Sequence, residues 1–382
     1  MMQPNLIPVL DPNPLPAPYW VFKLLLIVTF FLHILAMNFM LGGAVLALVS
    51  KWRSRKQENG NRIFFDIAKK LPIFLPATIT LGIAPLLFVQ VLYGQFFYTS
   101  SIIMAWPWFL VLVALTLAYY GFYYVSFHSR KHPGRAGVVM LFSVILVFLI
   151  GFVYSNNLTL SQVPSRWGAK YFANPSGWNL NLSEPTLIPR FLHFFVAAVA
   201  VGGLLLVFIS LANWTRDHEY ARQLLQFGGK AFMYATMAQF LVGVWFLVSL
   251  PREMLLLFTG QNVVATALLL VGVLGAMAAI FTMSEALRKE NIRVAAYYVP
   301  GILAVVILTM CVMRDILRDA YLKPYYHPER FVVHTQWSVF PLFLALFLGG
   351  VVLWFVMLKR YGLFRSAKVA EVVLKADPQA AK

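Results

Sequence analysis

Charge, acid and cysteine are all scarce in this 382-residue chain. Charged residues make up 12% of it and hydrophobic residues 60%, whereas an ordinary soluble domain is about a quarter charged. A water-soluble core cannot absorb that much apolar surface, which excludes a soluble globular protein. The apolar segments lack a period-two alternation, which excludes a membrane β-barrel. Cys311 is the single cysteine. An intrachain disulfide and a Cys-x-x-Cys-His site for covalent haem c are therefore both excluded, and any bound haem would be b-type.

What the sequence has is long continuous apolar runs. They fall near 20–50, 72–98, 102–127, 136–155, 189–213, 229–250, 262–284, 295–313 and 337–358. Each is long enough for a helix to cross about 30 Å of hydrocarbon with its backbone hydrogen bonds made internally. This is the pattern of an all-α integral membrane protein of about nine transmembrane helices, with its termini on opposite sides. The formal net charge of +17 follows the loops. With residues 1–19 outside, the inner segments hold more than two thirds of the 31 Lys and Arg, among them Lys51, Arg53, Arg130, Lys131, Arg288 and Lys289. That is the positive-inside distribution, so the N-terminus is expected outside and the C-terminus inside a bacterial or archaeal cytoplasmic membrane. The basic balance thus reports topology and contact with anionic lipid, not nucleic acid.

The proline-rich start, 1–19, has no basic n-region and reads as an outer lead-in rather than a cleaved signal peptide. Two connections are long enough to hold structure. Residues 156–188 form an outer loop rich in Asn, Pro, Ser and Trp, and residues 314–336 begin as an amphipathic continuation of the eighth helix. The tail 361–382 is short and polar.

A concealed repeat organises the helices. FLHILAMNFMLGG at 31–43 and FLHFFVAAVAVGG at 191–203 both read Phe-Leu-His, eight residues, Gly-Gly. Both lie on helices running from outside to inside, which implies two parallel four-helix units, 20–155 and 189–313, with a ninth helix, 337–360, appended. Of the seven histidines, His33 and His193 alone fall inside apolar spans. Imidazole in hydrocarbon needs a partner. A bond to a neighbouring helix would serve for one such histidine, but two at equivalent places in a repeat favour ligation of a metal. Haem iron fits an aromatic-rich chain with 33 Phe, 17 Tyr and 10 Trp. Zinc fits worse, because these spans offer almost no carboxylates for a third or fourth ligand. The glycine pairs lie about half a turn round the helix from each histidine and belong to helix packing.

The segments HILAMNFMLGG, VLYGQFF, NNLTLSQVP, RFLHFFVAAVAVGG and RVAAYYVPG resemble, in order, the large subunit of cytochrome bd quinol oxidases over about 20–360. The resemblance implies one or two b haems. It assigns His33 to the haem-ligating histidine of the oxidase active-site pair and His193 to the ligand of the low-spin haem. It also shows departures that mark a divergent member. The third helix lacks the family's two glutamates, the eighth lacks its ligating glutamate, and only PREMLLLFTGQ stands where the quinol-binding loop would be. No methionine in the seventh helix clearly answers His193. Met254, Met310, Met313 and His334 are expected at its depth as substitutes, although each is more often a packing or interface residue, methionine being a common gap-filler. Arg314 and Arg318 are candidates for haem propionates, with pairing to Asp315 and Asp319 the alternative.

The function expected is a membrane haem b electron-transfer subunit of a bd-oxidase-like respiratory complex. Its expected partners are a c-type cytochrome at the outer face, a multihaem one included, and other membrane subunits. The competing readings are an oxygen- or nitric-oxide-reducing oxidase subunit, and a haem-free quinone-binding anchor or transporter.

Overall fold

In the computed structural model the described residues are 14–53, 59–328 and 331–360. Most of the expected lead-in and the tail 361–382 therefore lie outside them. Among the described residues nine helices are long and apolar enough to cross a membrane. In chain order the first to ninth are Tyr19–Arg53, Leu71–Ile103, Ala105–His128, Pro133–Ser161, Leu187–Asn213, His218–Ser249, Val263–Arg288, Val299–Leu322 and Val339–Arg360. A π-helical turn, Val294–Tyr298, leads into the eighth. The 35-residue first helix is roughly 50 Å long at 1.5 Å per residue, so it projects beyond the hydrocarbon. Among the described residues the only strand-like pairing is a parallel bridge between Leu15 and Val333.

The first and fifth helices form the centre, and glycine is the reason. A Cβ placed on Gly42 would lie 1.8 Å from the Ala198 carbonyl oxygen, and one on Gly202 would lie 2.3 Å from the Gly42 carbonyl carbon. The two Gly-Gly pairs of the repeat thus bring the helix backbones into direct contact, the close approach that small residues permit between membrane helices. Gly203 plays the same part toward the sixth helix, where its Cβ would lie 2.5 Å from the Gly228 carbonyl oxygen. The second and eighth helices also pack on the first. The ninth helix stays peripheral, and no residue of its most apolar stretch is buried.

The two ends of the bundle are named here by the charge distribution. At the outer end Leu15 and His334 exchange backbone contact, His334 N–H donating to the Leu15 carbonyl at 3.0 Å. At the inner end Arg62 pairs with Asp217 at 2.8 Å and Tyr220 donates to Asp66 at 2.6 Å.

Two local structures differ from the sequence expectation. The fourth helix does not stop at 155 but runs through NNLTLS to Ser161. Its polar residues are satisfied within the helix, by the loop and by the second span: Asn156 Nδ2 donates to the Phe152 carbonyl at 2.8 Å, Asn156 Oδ1 accepts from Asn181 N–H at 2.9 Å, and Asn157 Nδ2 donates to Ser101 Oγ at 3.1 Å. A third connection also holds structure, the amphipathic helix Asn59–Ala68 between the first two spans. Phe64, Ile67 and Ala68 are its fully buried stripe, the i, i+3, i+4 spacing of one helix face.

The outer connection after the fourth helix carries a 3-10 turn, Pro164–Arg166, and the short helix Trp167–Ala173. Trp167 is buried and donates from Nε1 to the Leu160 carbonyl at 2.8 Å, which pins the connection to the helix end. Burial, reinforced by Arg166, lowers the Lys170 ammonium pKa below its ordinary value. Tyr171, Phe172 and Trp178 remain exposed on this connection.

Candidate functional site

A cavity of about 460 Å³ lies among the first, second, third, fourth, fifth and eighth helices, within the range of about 300–1,000 Å³ typical of small-molecule and cofactor sites. His33, Arg314 and Arg318 all line it, together with Thr78, Gly82, Tyr93, Tyr154 and Asn157. The His33 ring is held on two sides. Its Nδ1 lies 3.0 Å from the Thr78 carbonyl oxygen, and because a carbonyl only accepts, Nδ1 carries the hydrogen and Nε2 keeps its lone pair. On the other side a Cβ at Gly82 would lie 2.8 Å from the ring, so only glycine admits the imidazole there. A histidine whose second nitrogen is fixed by a backbone carbonyl is the usual setting of a metal-ligating imidazole.

The charges above His33 form a network that is neutral within itself. Arg318 pairs with Asp315, and Lys23 pairs with both Asp315 and Asp319, the latter at 2.7 Å. Tyr93, on the cavity wall, accepts from Lys23 at 2.8 Å and donates to Asp319 at 2.6 Å. Arg314 stands outside this balance. It has no carboxylate partner among the described residues, its Nε is buried without a hydrogen bond, and its guanidinium lies 4.1 Å over the Phe30 ring. Phe30 in turn meets His33, centroid to centroid, at 6.4 Å. A half-buried guanidinium with no carboxylate partner is costly unless an anion completes it, so the cavity offers one nitrogen ligand and one unmatched positive charge.

His193 occupies an equivalent seat in the second unit. Its ring rests against Gly243 of the sixth helix, where a Cβ would lie 3.5 Å away, and Gln239, four residues earlier, donates to the His193 carbonyl at 2.9 Å. Thr78 and Gly82 share this spacing on the next spanning helix, but Thr78 bonds the His33 ring through its carbonyl, whereas Gln239 bonds the His193 main chain. The surroundings differ, because His193 is not on the cavity and its Nδ1 is buried without a hydrogen bond.

The other sequence candidates fall elsewhere. Met310 packs on the seventh helix, its Cε 2.8 Å from where a Gly272 Cβ would be. Met254 joins a cluster formed by Leu250, Phe258, Ala265 and Leu317. His334 is exposed in the outer segment. Sequence reasoning missed the two seat glycines, Gly82 and Gly243. Their signal was present, since each lies 49 or 50 residues after its histidine, but isolated glycines are common in membrane helices.

No protein-family model matches the sequence, and neither does any curated protein. Among solved structures, a chain of the bd oxidase from Geobacillus thermodenitrificans matches over 91% of this chain and 99% of its own length, with a TM-score of 0.70 at 13% identity. The fold is bd-oxidase-like.

Proposed function

We propose that the chain is a haem b electron-transfer subunit of a respiratory membrane complex. The observation that carries this is the pairing, on one cavity, of a histidine with its Nδ1 fixed by Thr78 and an arginine, Arg314, that has no carboxylate partner among the described residues. These residues fit haem b: an imidazole for the iron, an apolar wall for the macrocycle and a cation for a propionate. Bound there, haem would supply one-electron chemistry. His33 would hold the iron, and Thr78 keeps its imidazole in the tautomer that leaves Nε2 free to bind it. Phe30 and Gly82 fix the plane of the imidazole, and Arg314 would hold a carboxylate of the group. Arg318 lines the same wall, with its charge already matched by Asp315.

His193 is assigned a second haem on the strength of the repeated seat. A c-type cytochrome is the partner proposed for the outer face, where Tyr171, Phe172 and Trp178 are exposed beside Arg166 and Lys170. A cytoplasmic membrane and further membrane subunits are part of this reading. Rapid oxygen reduction by the chain alone is not, because buried carboxylates are the usual means of proton delivery. The first four spans carry none, and the eighth has Asp315 and Asp319 bound into the Lys23 network.

Reduced-minus-oxidised absorption of the purified protein tests the reading. Wild type should show b-type bands, and His33→Ala and His193→Ala should each remove a distinct fraction of them, with a matching loss of iron. Wild-type iron in both variants would return the two residues to ordinary buried imidazoles. Tyr171→Ser with Phe172→Ser should weaken co-purification of the cytochrome while leaving the bands intact.

A further inference from the structure

The second histidine has an arginine too, which the sequence reading passed over. Arg190 lies one turn before His193 on the fifth helix and is 4% exposed. Its guanidinium sits 5.0 Å over the ring of Phe246, and Phe246 meets His193 at 6.3 Å. Arginine over phenylalanine, phenylalanine beside histidine, is the same layering as Arg314, Phe30 and His33, reached with residues from different helices. Charge balance repeats as well. Arg190 has one neutral side-chain acceptor, Gln162 Oε1 at 3.1 Å, and its Nε is buried without a partner. Glu184, on the adjoining loop, is held by Arg166 at 2.9 Å and by Thr186 at 3.0 Å. Other buried polar atoms in these surroundings also lack partners, Gln162 Nε2, His193 Nδ1 and Gln239 Oε1 among them. Buried orphans in a native protein call for an explanation, and a bound group is one.

We propose that Arg190 holds the carboxylate edge of a group seated on His193, in a site separate from the cavity at His33, and raises that group's reduction potential. The inference rests on the reading of His193 as a haem ligand. Its physical basis is that a fixed buried cation favours the state carrying one more electron, and that screening is weak where water is excluded. Arg190 is a positioning and tuning residue. The electron goes to the bound group, and the charge of Arg190 does not change.

Spectroscopic redox titration of the full-length protein in detergent is the test, using the bands that His193→Ala removes. Arg190→Gln should lower the midpoint of those bands by about 59 mV, a tenfold change in the reduced-to-oxidised ratio for one electron. Arg190→Lys should recover most of the shift. Arg314→Gln should move the His33-dependent bands instead. Should Arg190→Gln not fold, Gln162→Glu decides: it places a carboxylate on the guanidinium without removing it, and should lower the same midpoint. His193-dependent bands whose midpoint is unmoved by both substitutions would overturn the role of Arg190 and leave the haem reading standing. Absence of any His193-dependent band in wild type would instead overturn the reading beneath it.

Discussion

The two histidine seats are alike in backbone and unlike in surroundings. His33 and His193 each rest on a glycine of the following span, four residues after the residue that bonds them. Around His33 the protein opens a cavity and closes a ring of charges, Lys23, Asp315, Arg318 and Asp319, over it. Around His193 the neighbours are phenylalanine, the side-chain amide of Gln239 and one arginine, Arg190, with no carboxylate bound to it among the described residues, and several polar atoms lack partners. The duplicated scaffold therefore fixes where an imidazole stands, while side chains that the two units do not share decide what each imidazole faces.

The largest effect should come from breaking what the seats share. Gly42→Leu or Gly202→Leu places a side chain where another backbone already is, and overpacking of that kind has no rotamer escape. We expect loss of folded, detergent-extractable protein in either variant, measured as the monodisperse yield. A normal yield would mean that the central contact tolerates separation.

A smaller effect should divide the halves by charge. Lys23→Met leaves Asp315 and Asp319 buried or half-buried without their shared cation, a loss of about 3–5 kcal/mol when one member of a buried pair is removed. Gln162→Leu removes one hydrogen bond to a charged group, about 1.5–3 kcal/mol. Thermal unfolding should thus show the larger drop for Lys23→Met, and equal drops would erase the contrast drawn here.

The smallest effect is the sharpest comparison. A Cβ at Gly82 would meet the His33 ring at 2.8 Å, too close to stand, whereas one at Gly243 would meet the His193 ring at 3.5 Å, ordinary contact. Gly82→Ala should therefore reduce haem occupancy at His33 several-fold with little change in fold, and Gly243→Ala should leave its site near wild type. Iron content and the two sets of bands measure both.

Much of this was legible in the sequence because membrane helices announce themselves by length and polarity. The spans, the pair of intramembrane histidines and the packing role of the glycine pairs all follow from apolar runs and helical periodicity. The end of the fourth helix was hidden because Asn156, Asn157 and Thr159 look like loop residues until the Asn181 contact is seen. The helix Asn59–Ala68 was hidden because its apolar stripe is too short to stand out from a basic loop. Arg190 was read as part of a motif and not as a charge, since nothing local shows that Glu184 is already taken by Arg166. Sequence alone leaves Arg314 and Arg318 open between propionates and local pairing. The two residues divide, Arg318 being bound to Asp315 and Arg314 having no such partner. That division depends on Lys23, almost three hundred residues away along the chain.

The glycine crossing of the first and fifth helices has a consequence for motion. Where backbones touch, neither helix can roll or slide against the other without climbing over a carbonyl, so the two imidazoles are spaced by main chain and not by compressible side chains. A pair of centres mounted in this way keeps one separation and one mutual orientation as charge arrives and leaves. On the proposed reading of both seats as haem sites, the surrounding matrix would have little to rearrange on each transfer, the mechanical condition for fast, repeatable hopping between them.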